Sequence, residues 1–267
     1  MGSATDPAAS GSSLWKGVAP ILGGLLLLYF ALPLAWLLVE GSAGGVLASL
    51  GEPFVRTAAR NTLLTASVST AVATVLGVPL GYWLARTRVR GQSVVVALVA
   101  FPLVLPPVVS GMVLLSAFGP AGLGGLTGLT VSGTLAGVVL AQTFVASPFV
   151  VLSARSAFAE VDDRFTEAAR TMGASDWRTF RRVSLPLAGR GILAGVTLAF
   201  ARAAGEFGAT LMLAYYPRTL PVEIWATFQR SSLEAAFPVA IVLVAIATIA
   251  LVVINAVGGA SSLTPTD

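Results

Sequence analysis

The chain contains no cysteine and no histidine, and Lys16 is its only lysine. Without cysteine there are no disulfides, no thiolate metal sites and no cysteine nucleophile. Without histidine the usual proton shuttle at neutral pH and the commonest metal ligand are missing. An ordinary metalloenzyme or a Ser-His-Asp hydrolase is therefore excluded. Charge is scarce too: 10% of the 267 residues are charged and 56% are hydrophobic, where a soluble domain has roughly 25% charged residues. A phosphate-binding loop, G-x-x-x-x-G-K-[S/T], is also missing, because the lone Lys16 sits between Trp15 and Gly17. The chain is expected to bind no cofactor or metal of its own and to hydrolyse no ATP by itself.

What is present is apolar length. Six runs approach the roughly 20 residues that cross a bilayer as a helix: about Val18–Val39, Asn61–Ala85, Ser93–Phe118, Ser132–Ser153, Gly191–Ala214 and Phe237–Gly258. The fold class expected is an all-α integral membrane protein with six transmembrane helices. Its organisation is a disordered cytoplasmic tail (1–17), a six-helix domain (18–258) and a second tail (259–267). Residues 1–13 are small and polar and lack the charged start of a signal peptide. Gly119–Thr130 reads as a tight turn. Segments 41–60 and 215–236 read as outer loops, the first lying along the membrane surface, with Tyr215, Tyr216 and Trp225 suited to the interface.

Of the 16 basic residues, 15 are arginine. With both termini inside, eleven basic residues fall on cytoplasmic segments and four, Arg56, Arg60, Arg218 and Arg230, on outer ones; Arg202 lies within a span. That asymmetry sets both termini on the cytoplasmic side of a cell membrane. On a membrane protein the excess reports orientation, not nucleic-acid binding.

Most charges crowd into 155–190, RSAFAEVDDRFTEAARTMGASDWRTFRRVSLPLAGR. Phe165, Ala168, Ala169 and Met172 fall at i, i+3, i+4 and i+7, one apolar face of a short helix. Gly173 breaks that helix. Ser175 caps a second one, with Asp176 in its first turn, and Leu185-Pro186 is expected to end it. An amphipathic loop on anionic headgroups would share this charge but does not account for the spacing. Glu167-Ala168-Ala169, Gly173, then Val183-Ser184-Leu185-Pro186 resembles the EAA loop of ATP-binding-cassette importer permeases: E-A-A, three residues, G, nine residues, an aliphatic, any residue, L-P. The resemblance implies a type I importer-like fold and a coupling loop (155–190) docking on ABC ATPase subunits that hold ATP and Mg. Glu167, Ala168, Ala169, Arg170, Gly173, Leu185 and Pro186 are then the coupling residues, with Glu167 and Arg170 able to pair across that interface.

Two features lie at membrane depth. Arg202 and Glu206 are one helical turn apart, and charges there either pair or serve a path. Pro102, Pro106, Pro107, Ser110 and Gly111 bend the third span and free backbone carbonyls. Pro106, Pro107, Ser110, Arg202, Glu206 and Thr210 are the candidate path residues. The run ARAAGEFGATLMLAYYP (201–217), with LPVEIW (220–225) and AFPVA (236–240), resembles molybdate, tungstate and sulfate permeases, most of all the archaeal molybdate/tungstate type. That resemblance covers the chain after about Pro53. It implies import of a tetrahedral oxyanion, molybdate or tungstate before sulfate or thiosulfate, with an extracytoplasmic binding protein and a second permease copy, forming a homodimer, as partners. An ion-coupled secondary transporter would need acids within the spans, where Glu206 stands alone. An intramembrane enzyme would need lysine, histidine, cysteine or a paired aspartate there.

Overall fold

A computed structural model describes residues 8–87, 90–129 and 131–260. Helix is the one regular secondary structure among the described residues, which contain no strand. In chain order the helices are α1 (Ala8–Glu40), α2 (Ala43–Gly51), α3 (Pro53–Arg86), α4 (Gln92–Val104), α5 (Pro107–Phe118), α6 (Leu123–Thr127) and α7 (Leu135–Ala159). Then follow α8 (Asp163–Thr171), α9 (Asp176–Thr179), a π-helical turn (Phe180–Ser184), α10 (Leu185–Ala204), α11 (Gly208–Leu213), α12 (Leu220–Arg230) and α13 (Leu233–Ala260).

Six helical stretches among the described residues are long and apolar enough to cross a membrane: Val18–Glu40, Pro53–Arg86, Pro107–Thr127, Leu135–Ala159, Asp176–Ala204 and Leu233–Ile254. The chain is a multi-pass membrane protein. Large side chains such as Leu27, Tyr29 and Val39 stand exposed along α1, as befits a helix whose solvent is lipid.

Several expected boundaries move. Helix α1 starts at Ala8, so 8–17 is helical, where a tail was expected; residues 1–7 and 261–267 lie outside the described residues. Segment 41–60 is not one surface loop, because α3 starts at Pro53 and already carries Arg56 and Arg60. Segment 215–236 is largely α12 and the first turn of α13, and Gly119–Thr130 holds α6. Hydropathy misses these because a helix extends as far as its backbone hydrogen bonds do, beyond its apolar centre.

The core lies where α3, α7 and α10 meet: Ala66, Ala73, Val150, Ala154, Phe158, Ala199, Phe200 and Ala203 are buried together. Small residues let the backbones approach, the usual device where lipid removes the hydrophobic drive between helices. A Cβ at Gly195 would stand 2.5 Å from the Ser153 Cβ and 3.0 Å from the Phe149 carbonyl oxygen; at Gly81 it would be 2.8 Å from the Ala154 Cβ. Gly195→Val is expected to destabilise by about 1–3 kcal/mol through overpacking. An unchanged melting temperature in detergent would show that α7 and α10 are not so close.

Candidate functional site

The hairpin forms at 162–186. Asp162 caps α8 by accepting the Arg164 N–H at 2.9 Å. The helix ends in a Schellman motif: the Gly173 N–H donates to the Arg170 carbonyl at 2.9 Å and the Ala174 N–H to the Ala169 carbonyl at 3.0 Å. The motif needs a left-handed residue, and Gly173 supplies it at φ +79°. Ser175 then caps α9 as expected.

From Asp176 the chain does not stop at Leu185-Pro186. It runs helically to Ala204, 29 residues in all. The physical reason is the π turn. The Leu185 N–H bonds the Phe180 carbonyl, five residues back, so the turn is wider, and Pro186 falls in the first turn of α10, where its missing N–H costs little. Such π bulges recur at functional positions.

The hairpin is fastened to the bundle. Arg86, the last residue of α3, pairs with Asp163 and donates to the Val161 carbonyl at 3.0 Å. Phe180 meets Tyr82 at 4.8 Å between centroids, Tyr82 meets Phe158 at 5.0 Å, and Trp177 stacks on Phe180 at 5.6 Å. This aromatic ladder joins the second arm to α3 and α7. Nothing in the sequence spacing joins Trp177 and Phe180 to Tyr82 and Phe158.

The expected apolar face divides on folding. Ala169 turns inward with Thr166, while Phe165, Ala168 and Met172 stay exposed, as does Trp177. Glu167 and Pro186 are exposed and Leu185 is half-buried against the core. Arg170 is held within the hairpin by Asp176 at 3.0 Å; Glu167 forms no ion pair among the described residues. What remains outward is an acid, small groups and three large apolar side chains, with Arg164, Arg178, Arg181 and Arg182 exposed around them.

At the far end of α10 the fifth span breaks. Gly205-Glu206-Phe207 separates α10 from α11, so the continuous helix expected over 191–214 is corrected. Arg202 and Glu206 nevertheless pair. The Glu206 side chain is fully buried, and its Oε1 accepts the Ala209 N–H at 2.8 Å. The carboxylate thus serves the N-terminal end of α11 while Arg202 lies in the last turn of α10. Each charge complements the dipole of its half-helix.

The third span breaks as well, between α4 and α5 at Leu105-Pro106. α4 has 13 residues, too few to cross at 1.5 Å each. The two breaks touch. A Cβ on Gly208 would lie 2.8 Å from the Pro107 Cβ, and one on Gly111 would lie 2.8 Å from the Ala209 Cα. Ser110 and Thr210, on the two helices that cross here, are fully buried, and their hydroxyl oxygens have no protein partner. Pro107, Ser110, Glu206 and Thr210 are thus on elements brought together, with Arg202 tied to Glu206; Pro106 stays exposed as the cap of α5.

Two polar centres had not been singled out. Gln142, buried in α7, accepts from the Ser69 hydroxyl at 3.1 Å, and its amide nitrogen has no partner. Their signal was an amide and a hydroxyl inside apolar runs. At the opposite face from the hairpin, the buried Glu223 carboxylate binds Arg218 at 3.1 Å and Arg230 at 2.6 Å. Burial works against the charge of Arg218, but the hydrogen bond and charge of Glu223, aided by Tyr215, outweigh it and raise the guanidinium above its ordinary value. It stays charged at every accessible pH.

Two broken spans in contact, one of them continuous with a hairpin that carries an outward apolar surface, are the features of a membrane permease component. Residues 77–261 match the family described as the binding-protein-dependent transport system inner membrane component, and the chain belongs to that family. It is 55% identical over 244 residues to a probable molybdenum ABC transporter permease protein of Haloferax volcanii, covering 91% of each chain. It is 39% identical to the molybdate/tungstate transport system permease protein of Thermococcus kodakarensis, over 84% of this chain and 88% of that one. The fold matches a chain of a bacterial ABC transporter involved in import of the acidic polysaccharide alginate, with TM-score 0.72, 14% identity, and 91% and 95% coverage.

Proposed function

We propose that this chain is the permease of an importer that carries molybdate or tungstate into the cell. Two copies form the translocation path, with both termini in the cytoplasm. Separate ATPase subunits, holding ATP and Mg, seat on the 163–186 hairpin, and a binding protein delivers the anion near α2, α12 and the 215–219 segment. The observation that carries this reading is the unbroken helical course from Asp176 to Ala204. It places the hairpin and the Arg202–Glu206 break on one rigid body, so movement at one end is felt at the other. Broken helices at membrane depth are where transporter folds hold their substrates and coupling ions. The substrate is supported by the molybdenum and molybdate/tungstate relatives.

The test is co-reconstitution in liposomes with the ATPase and binding protein. Labelled molybdate or tungstate should accumulate only with internal ATP, and the purified permease alone should show no ATP turnover. Turnover by the isolated chain, or accumulation of sulfate in preference to both, would overturn the reading.

A further inference from the structure

The four arginines expected on the outer side converge in the fold, though 157 residues separate Asn61 from the Arg218 carbonyl oxygen to which its amide donates. Two cavities adjoin there and share Pro53 and Thr57. One, of about 370 Å³, is lined by Asn61, Tyr216, Arg218, Glu223 and Arg230 among others; the second, of about 290 Å³, by Arg56 and Arg60. Glu223 is the only acid lining either, and it is already engaged by Arg218 and Arg230.

Arg56 and Arg60 are different. Both are exposed, and neither has an ion-pair or hydrogen-bond partner among the described residues. They stand one turn apart, an arrangement of like charges that destabilises a helix. Arg56 also lies at the end of the first turn of α3, where the dipole disfavours a cation and no acid occupies the turn. Glu52, the residue before the helix, makes no capping bond. The like-charge repulsion and the unfavourable placing of Arg56 are both relieved by an anion held between the two guanidiniums. Their planar forks match the oxygens of a tetrahedral oxyanion. The Arg218 Nε–H, buried and without a partner, adds a fixed donor in the adjoining wall.

We propose that these joined cavities are a receiving site for a free tetrahedral oxyanion, with Arg56 and Arg60 as its ligands and the Glu223-anchored Arg218 as its wall. The proposal rests on the oxyanion-import reading and adds a stop between binding protein and path. Four arginines against one acid also raise the local concentration of a dianion by steering.

The test uses the permease–ATPase complex in neutral phosphatidylcholine nanodiscs without binding protein, with tungstate binding read by equilibrium dialysis and metal analysis. Saturable binding is expected, weakened by about tenfold or more in Arg56→Gln/Arg60→Gln through loss of charge-assisted hydrogen bonds. Both positions are exposed and unpaired, so folding is not at stake. Equal binding by the double variant, or none by the wild type, would overturn the site. Binding abolished by added phosphatidylglycerol would assign the arginines to lipid phosphates and overturn it. Unchanged tungstate affinity with weakened capture of the binding protein would make the patch a protein contact and overturn it likewise. Uptake by the same purified wild-type complex, reconstituted in liposomes with binding protein and internal ATP, separates failure of the site from failure of the substrate reading.

Discussion

Glu206→Ala is expected to lower stability by about 3–5 kcal/mol, the cost of removing one partner from a buried pair. The lower end is expected, because Arg202 keeps 28% of its side chain exposed. The substitution strips Arg202 of its counter-ion and the Ala209 N–H of its acceptor together. Glu206→Gln separates the two losses, since an amide oxygen still accepts the N–H while the charge is gone. Arg202→Met with Glu206→Gln then removes the ion pair and keeps the cap. Recovery of both melting temperature and oxyanion uptake in that double variant would make the pair a packing element. Recovered stability with uptake still low would place the charges on the path. If Glu206→Ala alone changed neither quantity, the buried pair and its cap would be wrong.

Gly173→Pro should abolish coupling while leaving the protein in the membrane. Proline holds φ near −65° and has no N–H, whereas this position sits at φ +79° and donates to the Arg170 carbonyl. The turn between the hairpin arms must therefore rebuild, and uptake should fall by roughly tenfold or more if docking loses even 1.4 kcal/mol. Glu167→Arg probes the same surface without touching the backbone. Its carboxylate is exposed and forms no ion pair within the described residues, so reversing its charge should weaken ATPase capture, measured by co-purification. Normal uptake and normal ATPase retention in both variants would remove the hairpin from the coupling role.

The spans were legible because a bilayer demands a simple quantity, about 20 apolar residues in succession. The hairpin was legible because its turn rests on a glycine and the second arm starts on a Ser175 cap with Asp176 in its first turn. The break at Leu105-Pro106 was signalled by proline. The break at Gly205-Glu206-Phe207 was not, since a glycine and one acid within an apolar run do not say where backbone bonding stops. Leu185-Pro186 misled in the other direction. Proline ends an α-helix, but the π turn ahead of it makes room for the ring, and a local rule cannot see that. The Glu223 centre was hidden because Arg218 and Arg230 reach it from five and seven residues away. Only the turn before α12 and the length of that helix bring them together.

The π turn also fixes an angular phase. A five-residue loop of backbone spliced between α9 and α10 advances the chain by one residue more than an α-helix would at that level. Each residue turns an α-helix by about 100°. Removing one residue from Phe180–Ser184 would therefore return the rod to an even pitch and swing Trp177 a quarter-turn or more about the axis relative to Arg202. The aromatic ladder on Tyr82 and Phe158 and the ion pair at the membrane break face correctly at the same time only because of that inserted residue. Length and hydropathy tolerate a deletion there; the rotational setting between the hairpin and the membrane break does not.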